Sequence, residues 1–176
     1  MRKFSILSIT IFITIILAGA FGMVHDEITY TISKEYFTKF KYPQFGFTPS
    51  LFGGNRQTVA AIGFLATWWV GLFIGIITGL TALLFRDPGV MKKEISKAIR
   101  LIFLITILFS TAGYFYGRYH LTKTGVTWWL PADLTDKYHY IITGSIHNFS
   151  YMGGLAGLFL AVVLMLRKII FQRSGA

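Results

Sequence analysis

The 176-residue chain contains no cysteine. That removes disulfides, thiolate nucleophiles, Cys-ligated zinc and iron–sulfur clusters, and with them thiol–disulfide exchange. Charge is scarce as well: Asp, Glu, Lys and Arg make up 14% of the residues, against about 25% in a soluble domain. Apolar residues make up 54%. A soluble fold of this size would have too little polar material to cover its surface, so a bilayer is the natural solvent. No HExxH, no pair of histidines three or four residues apart and no Ser-His-Asp arrangement occurs. The chain therefore offers no catalytic signature and reads more readily as a non-enzyme.

The net charge of +10 would suit nucleic acid, but its distribution does not. The basic residues sit at the ends of apolar runs: Arg2 and Lys3, then residues 86–100, then Arg167, Lys168 and Arg173. Lys and Arg flank membrane spans in this way. No basic stripe interleaves with stacking aromatics, so nucleic acid is not a partner. The partner that composition demands is the lipid bilayer.

The chain is long enough for one domain, residues 1–176, and hydropathy divides it into four spans: about 4–24, 59–85, 98–117 and 140–166. The expected fold is an all-α membrane protein, a four-transmembrane-helix bundle with a partly structured outer loop at 25–57. The basic start and Ala18-Gly19-Ala20 of the first span also fit a cleavable signal peptide. The apolar character continuing through Phe21 and Met23 favours a retained helix. Within 25–57, Ile28, Tyr30 and Ile32 alternate with Thr29, Thr31 and Ser33 as in a strand. Ser33 then suits the cap of a short helix carrying Glu35, Tyr36 and Phe37, which could fold back over the mouth of the bundle. In the second span Gly63, Thr67, Gly71, Gly75 and Gly79 recur at every fourth position, and Gly153, Gly157 and Ala161 repeat the pattern in the fourth, with Gly154 widening it. Such ridges let helices approach closely. They serve packing within the bundle, another membrane subunit or a homo-oligomer equally well.

Orientation follows from the basic residues. With the N-terminus inside, the inner segments hold Arg2, Lys3, Arg86, Lys92, Lys93, Lys97, Arg100, Arg167, Lys168 and Arg173, which is ten. The outer segments hold Lys34, Lys39, Lys41, Arg56, Arg118, Lys123 and Lys137, which is seven. Short loops weigh most, and the dense loop at 86–100 sets both termini in the cytoplasm. The expected location is a bacterial cytoplasmic (inner) membrane.

The ligand-type side chains gather on the opposite side. His25, His120, His139 and His147 all fall in outer segments or the outer half of a helix, as do five of the seven acids. His147 lies roughly 10 Å into the fourth span at about 1.5 Å per residue, accompanied by Ser145, Asn148 and Tyr151. Ionisable groups at that depth are costly and usually face the bundle interior. His25, Asp26 and Glu27 stand where the first span leaves the membrane. A histidine beside carboxylates can hold a divalent metal or relay a proton. Two imidazoles at matching depth, His147 with His25 or His120, can also ligate haem. The alternative is bland: a hydrogen-bonded interhelical histidine and a solvated polar collar. The candidate polar site is His25, Asp26, Glu27, Glu35, Tyr36, His147 and Asn148.

Three stretches, His25-Asp26-Glu27-Ile28-Thr29, Glu35-Tyr36-Phe37-Thr38 and Ala66-Thr67-Trp68-Trp69-Val70-Gly71, together resemble a family of bacterial four-helix membrane proteins with no established activity. His147-Asn148-x-Ser150-Tyr151-x-Gly153-Gly154 is the counterpart motif in the last helix. The resemblance covers about the first half of the chain. It implies the four-helix fold and points to these residues, but carries no reaction. Three functional readings stand: a non-catalytic accessory or scaffold component with a polar site at the outer face; a subunit binding metal, haem or quinone there; and a small transporter or proton pathway. The last is disfavoured by the absence of charge at the middle of spans two and three.

Overall fold

The computed structural model describes residues 2–174. They are mostly helical, with no strand among the described residues. Four helical runs are long and apolar enough to cross a membrane: 2–32, 55–82, 88–124 and 137–172. In chain order the elements are α1 (Arg2–Ile32), α2 (Lys34–Tyr36), a π-helical turn (Phe37–Lys41), α3 (Tyr42–Phe45), α4 (Asn55–Ala82) and α5 (Pro88–Tyr116). A second π-helical turn (Gly117–Leu121), α6 (Thr122–Thr124) and α7 (Lys137–Ser174) follow.

All four long helices start before the expected spans, and α1 and α7 also run past them, whereas α4 stops at Ala82, short of the expected 85. α1 continues through Ile32, so residues 28–33 do not form the strand that their alternation suggests. The buried positions there are Asp26, Thr29, Tyr30 and Ser33, spaced by three and four as one helical face requires. Thr29 Oγ1 donates to the His25 carbonyl at 3.0 Å, inside the helix. Ser33 does cap α2, its Oγ accepting from the Tyr36 N–H at 3.3 Å. The basic stretch at 86–100 is likewise not a loop. Asp87 accepts from the Val90 N–H at 2.8 Å and Pro88 takes the first helical position, a pairing that starts α5 ten residues before the expected span. The irregular part of the 25–57 segment shrinks to residues 46–54, entered through Gly46 in the left-handed conformation that ends α3 (φ 66°).

The four long helices form two antiparallel pairs, α1 with α4 and α5 with α7. Small residues make each pair. A side chain on Gly22 would strike the Gly63 carbonyl, and one on Gly63 would strike the backbone of Gly22 and Met23. Further along the same seam Gly71 faces Thr14 and Ala18, Gly75 faces Ile11 and Gly79 faces Leu7. Thr67 Oγ1 donates across it to the Ala18 carbonyl at 2.7 Å. In the second pair Gly153 and Gly157 of α7 lie on α5 at Thr106 and Ile102, while Gly113 of α5 lies on Phe149 of α7. Both glycine ridges are therefore used inside the bundle.

The two pairs meet less intimately, through a cluster at each end. Ile6, Phe85, Met91, Ile95, Ile102, Ala161 and Met165 fill the end where the 83–87 turn lies, here called the basic end. There Glu94 of α5 accepts from Lys168 of α7 at 2.7 Å and from Lys97 at 3.2 Å. Tyr30, Tyr36, Phe37, Tyr42, Val59, Ile62 and Tyr140 fill the other, loop end. Outward-facing side chains between these ends are apolar, with Phe12 67%, Leu155 70% and Phe159 73% exposed. Such a surface suits hydrocarbon and not water.

Candidate functional site

Between the two clusters and between the two helix pairs lies a cavity of about 340 Å³. Its walls come from all four long helices: Thr14 and Phe21 of α1, Val70 and Ile74 of α4, Ile102 and Phe103 of α5, and Ser150 and Gly154 of α7. Three side chains close its loop end: His25, Asp26 and His147. Leu17 and Phe103, also in its lining, are 48% and 51% exposed, so the cavity reaches the apolar outer surface of the bundle.

Each of the three polar residues is placed by packing elsewhere. Asp26 belongs to the buried face of α1 that continues through Thr29 and Tyr30. His147 belongs to a long buried stretch of α7, residues 140–147. The glycine seams set the depth of both helices and so bring residues 121 positions apart together: His147 Nε2 is 3.1 Å from Asp26 Oδ1. His25 Nδ1 lies 3.2 Å from the same oxygen. The two imidazoles stand edge to face with ring centroids 4.6 Å apart. Asp26 is 2% and His147 4% exposed.

The protons in this cluster do not balance with neutral imidazoles and a bare carboxylate. His147 Nδ1 lies 3.0 Å from the Thr143 carbonyl while Nε2 faces Asp26 Oδ1, and a neutral imidazole has one N–H, so it can donate to only one of these two acceptors. With the proton on Nδ1, an unprotonated Nε2 faces Asp26 Oδ1, lone pair against lone pair. In that tautomer a cation between them, a further proton or a metal ion, reconciles the two. Two buried atoms of the cluster also lack a hydrogen-bond partner, Asp26 Oδ2 and His25 Nε2. Buried polar atoms rarely go unpaired without a ligand or a water. One carboxylate oxygen and one nitrogen from each histidine lie within 4.8 Å of one another, close enough for a single ion.

The short helix after Ser33 covers this cluster. The Tyr36 ring lies on His147 with centroids 4.7 Å apart, and Phe37 approaches it at 6.2 Å. Trp128 and Tyr36 together cover Gly144 of α7. Burial pushes the Tyr36 phenol well above its ordinary range, so it stays protonated. Lys41, in the π-helical turn, is also buried and acts on Asp26 through its charge; burial pulls its ammonium below the ordinary lysine value, and Asp26 partly restores it.

The sequence-expected site thus divides. His25, Asp26, Tyr36 and His147 come together. Glu27 instead holds Arg56 at 2.7 Å on the outer surface. Glu35 accepts from the backbone N–H groups of Thr135 (3.1 Å) and Asp136 (2.6 Å) and pairs with Lys39 at 3.1 Å. It ties the covering helix to the 125–136 connection. Those backbone hydrogen bonds hold its carboxyl down at about 2. Asn148 is exposed, one position past the buried face. His139 pairs with Asp136 at 2.7 Å and His120 stacks on Tyr116, both away from the cluster. His25 and His147 share one carboxylate oxygen, which leaves no plane for a macrocycle between them. Lys41, Thr143 and the α5 wall were not legible as site residues, although Lys41 falls one position beyond the aromatic run Tyr36, Phe37 and Phe40 that forms the cover. No protein-family model, characterised protein or solved structure matches the chain.

Proposed function

We propose that this chain is a non-catalytic accessory component of a bacterial inner membrane, with both termini cytoplasmic, that holds an amphipathic molecule drawn from the bilayer. The single observation that carries this reading is the cavity: apolar along its body, closed at one end by His25, Asp26 and His147, and reaching the lipid-facing surface beside Leu17 and Phe103. Its volume of about 340 Å³ falls within the range of small-molecule sites, roughly 300–1,000 Å³. The unpartnered His25 Nε2 suits an oxygen of a polar headgroup, and the body suits a ring with a short apolar tail. A quinone-class molecule has both. Positive flanks at Arg2, Lys3 and the 86–100 stretch support the cytoplasmic placement of the basic end, opposite the His–Asp cluster.

The test is direct binding. A short-chain benzoquinone titrated into detergent-purified protein is expected to quench tryptophan fluorescence saturably. Gly154→Leu should abolish that response. Gly154 lines the cavity, and a Cβ there meets nothing nearer than Thr106 Oγ1 at 3.9 Å, so the larger side chain fills the space without displacing backbone. Linear, unsaturable quenching that is identical in Gly154→Leu would overturn the reading.

A further inference from the structure

We infer that His25, Asp26 and His147 form a site for a divalent transition-metal ion of the zinc, cobalt or iron(II) class. The inference concerns the polar head of the cavity and stands whether or not a quinone fills its body.

Four observations converge on it. The donor atoms are two imidazole nitrogens and a carboxylate oxygen, all within 4.8 Å of one another. The two separations to Asp26 Oδ1, 3.1 and 3.2 Å, are near those of ligands sharing one ion at about 2.0–2.2 Å. The Thr143 carbonyl, 3.0 Å from His147 Nδ1, offers an acceptor for the tautomer a metal needs, with the proton on Nδ1 and the Nε2 lone pair toward the carboxylate. A backbone carbonyl on the far nitrogen is the usual support of a metal-bound histidine. Asp26 Oδ2 is buried without a partner, so the carboxylate has a second oxygen to offer. A proton between Nε2 and Oδ1 would satisfy one facing pair of lone pairs. A metal ion draws on Nε2, the carboxylate and His25 at once.

Chemistry narrows the ion. Two imidazoles and one carboxylate favour zinc, cobalt and iron(II) over calcium or magnesium, which prefer oxygen. Three protein donors leave at least one coordination position, and the open side of the cluster faces the cavity. That position suits water or the oxygen of a bound headgroup. The charged and titratable groups that face the ion are the ligands themselves, Lys41 from the π-helical turn, and Tyr36 and Tyr151. Lys41 opposes a dication whenever it is protonated, so its removal should strengthen binding while any loss of a ligand weakens it.

The experiment is a titration of detergent-purified, chelator-treated protein with zinc and with cobalt(II), without quinone, so that its outcome is independent of what fills the cavity. The expected result is one zinc per chain, a raised melting temperature and the visible absorption of cobalt(II) in a low-symmetry nitrogen–oxygen site. Asp26→Asn and His25→Gln should each weaken zinc roughly 100-fold or more, since even supporting partners of metal ligands matter by about 10–100-fold. Lys41→Met should tighten it about tenfold through the lost repulsion. His120→Gln and His139→Gln, surface histidines outside the cluster, should change nothing. If Asp26→Asn does not fold, His25→Gln, which leaves the His147–Asp26 contact intact, decides the matter. Binding that is unchanged in His25→Gln, binding abolished by His139→Gln, or a cobalt spectrum equal to that of the free ion would each overturn the inference.

Discussion

His147 Nε2 of α7 meets Asp26 Oδ1 of α1 at 3.1 Å, inside a bundle whose interior is mostly apolar and small residues. A contact of this kind is expensive to make, because both groups leave water for a low-dielectric interior. It also joins the two helix pairs where they otherwise touch little. Its removal therefore affects both energy and specificity.

His147→Leu leaves Asp26 buried with one remaining donor, His25, and should destabilise the fold by about 3–5 kcal/mol. Asp26→Leu combined with His147→Leu replaces the pair with apolar contact and should recover at least half of that loss. Unfolding in mixed micelles, read by far-UV circular dichroism, measures both. Losses that simply add would show that the two residues do not act as a pair.

The helix seam gives a second test. Gly63→Val pushes side-chain atoms into the backbone of Gly22 and Met23, so α1 and α4 must separate, at a cost of about 1–3 kcal/mol or more. Gly154→Ala adds a methyl group at ordinary contact distance from Thr106 Oγ1, 3.9 Å, and should be neutral or stabilising by up to about 1 kcal/mol through helix propensity. Thermal unfolding followed by size exclusion distinguishes the two. Equal effects would mean that close approach at Gly63 is not what the seam requires.

Acid should loosen the covering helix first. The backbone N–H groups of Thr135 and Asp136 hold the Glu35 carboxyl at about 2, below its ordinary value of 4.5. A depressed carboxylate stabilises fully above its unfolded value, so this contribution is present above about 4.5 and is lost as pH falls from there toward 2. Amide exchange in residues 34–45 should rise across that window, and Glu35→Gln should show the acid level of exchange already at neutral pH. Exchange that is flat with pH in the wild-type protein would remove Glu35 as the tie.

Topology is the fourth expectation. A reporter that fluoresces only in the cytoplasm should be bright when fused after residue 176 and dark when inserted at residues 48–53, in the irregular part of the outer segment. The opposite pattern would reverse the orientation and place the His–Asp cluster near the inner leaflet.

Much of the architecture follows from one-dimensional pattern, because the bilayer imposes length and apolarity on each crossing segment and leaves few alternatives. The four helices long and apolar enough to cross, the glycine ridges of α4 and α7 and the Ser33 cap belong to this class. The helix ends were less legible. Hydropathy marks where a segment meets hydrocarbon, whereas the helix continues wherever its backbone hydrogen bonds and a buried face persist, as from His25 to Ile32 in α1 and from Pro88 in α5.

The candidate site divides along the same line. Sequence alone determined that His25, Asp26, Glu27, Glu35 and His147 share one end of the bundle, since each is tied to the same end of a long apolar segment. Which of them converge was decided only by tertiary packing. The close approach of α1 to α4 and of α5 to α7 sets the depth and rotation of each helix, and one position's rotation is about 100°. That rotation turns Asp26 inward beside His147 and sends Glu27 out to Arg56, and it likewise separates buried His147 from exposed Asn148.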